Sequence, residues 1–178
     1  MIARMLRAFA ACMVMLLSPA AALATSTLGF EIGTTTLTDV RHALTGRVAL
    51  ISLGSNFYTH GPMFKVPGKA FDLDGLNEVL FIFRDGRLDG VVMHMDKSRF
   101  DAVIKYLRDK YELQSSEAPV VGNKEVVFHD GTTTIELNSP HLSFEMEVRY
   151  MSDRLVSEIK ADWAKTAAEK AAKEAVQF

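Results

Sequence analysis

The chain has 178 residues, a formal net charge of −2 and one cysteine, Cys12. That length predicts a single domain with a sizeable core. The charge excludes the basic footprint of a nucleic-acid binder, and one cysteine excludes an internal disulfide framework.

Residues 1–24 read as a secretory signal peptide. Arg4 and Arg7 precede an uncharged, mostly apolar run from Ala8 to Leu17, Ser18-Pro19 break it, and Ala22-Leu23-Ala24 is an A-x-A cleavage site. A transmembrane anchor needs about 20 apolar residues, and this run is too short. A lipid-modified Cys12 should close the apolar run, yet Met13 to Leu17 still follow it. Cleavage before Thr25 leaves 154 residues, no cysteine and a net charge near −4. The expectation is a protein of the periplasm, or a secreted one, that does not span the membrane and is stabilised by packing.

Thr36 N-caps a predicted helix at 37–45, where Leu37, Val40 and Leu44 share a face, Asp39 suits the helix dipole and Gly46 stops the helix. VALISL (48–53) predicts a short strand. GSNFYTHGPMFKVPG follows, a loop or a strand pair broken by turns. NEVLFIF (77–83) is apolar on both sides, which predicts a central strand. Asp85-Gly86 turns the chain into RLDGVVMHM (87–95), with Gly90 as a candidate bulge. Ser98 is the expected cap of a second helix, 99–111, with Phe100, Val103, Ile104, Leu107 and Tyr111 on its apolar stripe. Residues 113–123 are expected to be loop. KEVVFHD, a second Asp-Gly turn and TTTIELN form a hairpin, with Asp130 expected inside the turn. In SFEMEVRYM, Phe144, Met146, Val148 and Tyr150 alternate with Glu145, Glu147 and Arg149, the pattern of a strand with one wet face. Ser152 caps a last helix, 153–176, with a docking stripe of Leu155, Ile159 and Trp163. Its tail is rich in alanine, lysine and glutamate, with Glu169–Lys173 as an i, i+4 pair.

The motif F-x-D-G occurs at 83–86 and at 128–131, each time after a helix and between strands. The echo predicts two helix–β-meander units, about 30–96 and 97–151, inside one domain at 25–151. The fold class is α+β: an antiparallel sheet with helices on one face, followed by a C-terminal helix and tail at 152–178. In this arrangement, FEIGTTTLTDVRHALTG (30–46) is similar to the opening of the repeat in β-lactamase inhibitor protein and the SmpA/OmlA-type outer-membrane assembly lipoproteins. The resemblance covers roughly residues 30–150. It implies a protein-binding or envelope-maintenance role without catalysis. The lipid-bearing cysteine of the lipoproteins and the disulfides of the inhibitor have no counterpart, so no anchor and no inhibitory loop carries over.

Chemistry-bearing motifs are sparse. There is no H-x-H or H-E-x-x-H, no G-x-S-x-G elbow and no phosphate loop, so no cofactor is expected. The segment Phe57–Phe64 gathers three aromatics, a methionine and a histidine between glycines and prolines. Aromatic anchors on loops dominate contact surfaces, which makes Tyr58, His60 and Phe64 the candidate binding residues. Capping the edge of the core is the plainer role for the same side chains. The principal expectation is an exported, non-catalytic binding protein of the cell envelope, holding a protein or envelope partner with its open sheet face and the 56–66 loop. The alternative is a small metal-dependent enzyme or metal-binding protein using His94, Asp96 and His129. A third possibility is an apolar small molecule held between sheet and helices.

Overall fold

A computed structural model describes residues 24–177. The predicted signal peptide, residues 1–24, lies outside the described residues but for Ala24.

The chain begins with a hairpin, β1 (Ser26–Thr27) and β2 (Phe30–Glu31). Leu28 and Gly29, both at positive φ, make its turn. This hairpin is absent from the sequence reading. Helix α1 (Leu37–Leu44) follows, and Thr36 and Asp39 close a full capping box around its first turn. Strand β3 (Ile51–Ser55) begins three residues later than the strand predicted at 48–53, and β4 (Pro62–Pro67) is the strand within the glycine- and proline-rich stretch that follows. β5 (Leu76–Arg84) and β6 (Arg87–Asp96) are joined by Asp85-Gly86.

A 3-10 turn at 97–99 leads into α2 (Phe100–Lys110). Ser98 is not its cap. Arg99 holds that position without a side-chain bond, because the turn has already supplied the helix with its approach geometry. β7 (Glu112–Glu117) occupies the stretch expected to be loop. Its side chains are all exposed, so it has no burial pattern to betray it. β8 (Lys124–Asp130), β9 (Thr133–Ser139) and β10 (Glu145–Ser152) precede α3 (Asp153–Ala175), which Ser152 caps through Leu155 N–H.

The eight strands β3 to β10 form one sheet in the order β3-β4-β5-β6-β10-β9-β8-β7, every neighbouring pair antiparallel. Each half is therefore a helix followed by a four-stranded meander, and the halves join through their last strands. The order reads the same from both edges. The two Asp-Gly sites do not correspond within it. Asp85-Gly86 links the third and fourth strands of its meander, and both residues have positive φ. Asp130 is instead the last residue of β8, paired with Thr133. Gly131-Thr132 make that turn, with positive φ at Gly131, and they link the second and third strands of the other meander. The duplication is one of topology, and the F-x-D-G match is incidental to it.

Alternation along the strands places two apolar clusters on opposite faces. On one face, Phe64, Val79, Phe81, Met93, Ile135 and Val148 meet Val40 and Leu44 of α1, Phe100 and Leu107 of α2, and Phe30 and Ile32 of the N-terminal segment. On the other face, Ile82 and Met151 pack with Leu155 and Val156 of α3. The C-terminal helix thus covers one end of the face expected to be open. No helix among the described residues is long and apolar enough to cross a membrane.

Candidate functional site

The three aromatic-segment candidates are dispersed. Phe64 is 7% exposed. Its ring lies 6.2 Å from that of Phe83 and beneath the Arg41 guanidinium at 5.4 Å, so it belongs to the core. Tyr58 faces α3, and its hydroxyl donates to Asp162 at 3.1 Å. Partial burial, then the hydrogen bond and charge of Asp162, raise its pKa above the ordinary phenol value. His60 is exposed at a turn with φ 54°. Tyr58 packs on the α3 side of the sheet and Phe64 in the core on the other side, so the stretch cannot act as one contact loop.

Of the candidate metal residues, His94 and Asp96 share strand β6, and His129 lies apart from them. Cross-strand register aligns His129 with Thr134, Met151 and Gly90, and aligns His94 with Glu147, Asn138 and Glu125. His94 and His129 are therefore separated by three strand spacings, about 14 Å, and by four residues along the strands, about 13 Å. Asp96 accepts from Asn77 Nδ2 at 3.2 Å. His129 Nε2 lies 3.0 Å from Asp153 Oδ2, and Thr134 Oγ1 donates to Asp153 Oδ1 at 2.7 Å. Asp153, the first residue of α3, is the partner of His129; Asp130 instead accepts from Thr25 Oγ1 at 2.9 Å. Among the described residues, no group of three or more His, Cys, Asp or Glu side chains could hold a metal ion.

A second feature of the α3 face is a clamp at the β5–β6 end. A bulge between Leu88 and Gly90 leaves Asp89 unpaired in the ladder. Asp89 accepts from Arg84 Nε at 2.8 Å, and Arg84 reaches Glu158 of α3 at 2.5 Å. Arg84's hydrogen bond is the main cause that holds the Glu158 carboxyl below its usual pKa. Asp153, Glu158 and Asp162 fix α3 at three successive points.

The surface that stands out was not legible in the sequence. Loops 118–123 and 140–144 adjoin at one end of the sheet, because Lys124 pairs with Ser139. Asn123 Oδ1 accepts from His141 N–H at 2.8 Å and ties them together. Lys97 N–H donates to Phe144 O, and its ammonium donates to Pro140 O and His141 O. On this braced frame Val120, Val121, Leu142 and Phe144 are 98, 72, 94 and 95% exposed. Phe144 lies one residue before β10, just beyond the run of side chains that alternate into the core. Isolated exposed apolar residues are ordinary, whereas four on adjacent loops form an unusual concentration of exposed apolar side chains.

No protein-family model, curated protein or solved structure matches the chain.

Proposed function

We propose that the chain is an exported, non-catalytic binding protein of the cell envelope, and that it grips a protein partner with the apolar end formed by loops 118–123 and 140–144. The observation that carries this reading is the near-complete exposure of Val120, Val121, Leu142 and Phe144 on a hydrogen-bonded frame. A preorganised apolar patch loses little conformational entropy on docking. Aromatic and aliphatic anchors of this kind supply most of the energy at interfaces. The leader-like pattern of residues 1–24 supports export. The resemblance to exported helix–β-meander proteins points to contact with another protein.

The test is site-specific photo-cross-linking in intact cells. A photoreactive residue at Phe144 is expected to give a discrete protein adduct, and one at exposed Tyr106 none. The adduct is expected to vanish in V120S/L142S, whose thermal unfolding stays unchanged because neither side chain is buried. Identical adducts from both positions, or none from Phe144, refute the reading. Sedimentation of the purified protein with lipid vesicles, lost in V120S/L142S, would assign the surface to a membrane instead.

A further inference from the structure

A cavity of about 370 Å³ lies between α2, the N-terminal hairpin and the centre of the sheet. Its floor is the seam between the two meanders, with Met93 and Met95 from β6 and Val148 and Tyr150 from β10. Val103 and Leu107 of α2 line its wall. The cleft is open to solvent, with Tyr106 and Leu73 exposed on its rim, and its volume falls near the lower limit of small-molecule sites, about 300–1,000 Å³. A cleft of that size accommodates a hydrocarbon chain. Methionine side chains adapt to flexible chains because they are unbranched and polarizable.

The chemistry of the lining also selects the head group. Among the lining residues Lys110 is the only charged one, and no carboxylate is present. The Lys110 ammonium sits 3.4 Å from the Ser26 carbonyl and 4.9 Å from the centre of the Tyr111 ring. It forms no ion pair among the described residues. Lys110 and Ser26 also line an adjoining hollow that carries Glu31 and Asp130. Tyr150 adds a neutral phenol, because burial first and Tyr111 second raise its pKa far above the ordinary value. An apolar chamber with one cation on its wall suits a molecule that is apolar along its length and negative at one end.

We propose that this cavity binds a free single-chain carboxylic acid, its chain lying over Met93 and Met95 against Val103 and its carboxylate meeting Lys110. The site is independent of the apolar end, which lies on loops that contribute nothing to the cavity.

Isothermal titration of the purified protein with decanoate and with decanol tests it. Decanoate is expected to bind at one site per chain. Lys110→Met removes a charge-assisted contact from an exposed side chain, and is expected to weaken decanoate about tenfold while leaving decanol unchanged. Val103→Phe fills the chamber and is expected to weaken both ligands at least about tenfold. V120S/L142S is expected to bind both normally. Absence of decanoate binding overturns the proposal. So does equal affinity of wild type and Lys110→Met for decanoate, or loss of binding in V120S/L142S. Where Val103→Phe disturbs folding, the Lys110→Met comparison decides alone.

Discussion

Replacing Arg84 by methionine should be among the most damaging changes at the surface of α3. The Arg84 and Asp89 side chains are 10 and 11% exposed, whereas Glu158 is 34% exposed. Methionine keeps much of the aliphatic stem but removes every donor. Asp89 is then left as a nearly buried carboxylate without its cation. Breaking one side of such a buried pair costs about 3–5 kcal/mol. Glu158 is about a third exposed, so Glu158→Gln removes only a screened contact and should cost under about 1 kcal/mol. The stability of a domain this size is about 5–15 kcal/mol, so the first change consumes a large share and the second does not. Urea unfolding of the two single variants, monitored by circular dichroism, measures both costs. The double variant R84M/D89N completes the comparison. It should recover part of the loss, because no uncompensated charge stays behind. If R84M and E158Q destabilise equally, or if R84M/D89N is no more stable than R84M, the reasoning from burial is wrong.

Three further outcomes follow from the same geometry. A Cβ at Gly68 would stand 1.9 Å from Leu76 O and 2.5 Å from Leu76 C, so Gly68→Ala must displace backbone and should cost about 3 kcal/mol in denaturant unfolding. The folded-state pKa of Glu158 is depressed by Arg84; its stabilisation is therefore present above the unfolded carboxyl value, about 4.3, and lost as pH falls through the lower folded value. A pH series of unfolding midpoints should show a shallower acid limb for E158Q than for wild type. Every described residue beyond Trp163 is exposed, so a chain ending at Ala164 should keep its unfolding free energy within about 0.5 kcal/mol, and a larger loss would show the tail to be packed.

Local chemistry is what the residues display most openly. Helix α1 was legible because Thr36, Asp39 and Gly46 punctuate an apolar stripe. Strand β10 was legible because Met146, Val148 and Tyr150 alternate with charged residues. The failures are equally physical. Edge strand β7 buries none of its side chains and carries no periodic signal. Trp163 continues the helical stripe of Leu155 and Ile159, yet it is 61% exposed. The tail pairs Lys165 with Glu169 and Lys170 with Glu174, instead of joining Glu169 to Lys173, since exposed side chains choose among near-equal partners. The candidate site suffered most. Tyr58 and Phe64 looked alike as loop aromatics, yet Tyr58 sits in the turn between β3 and β4 against α3, while Phe64 lies within β4 and faces the core.

The α+β class, the helices, most of the strands and the positions where the chain must turn were legible from the residues alone, since each depends on residues within a few places of one another. Tertiary structure decided which strands are neighbours, that the last strands of the two meanders join at the centre, and that Val120, Val121, Leu142 and Phe144 share one exposed end. Those outcomes depend on pairing between segments far apart in the chain, where the driving force is burial of common apolar surface. That force is non-directional, and a turn motif such as Asp-Gly specifies a bend without specifying which sheet neighbours it will connect.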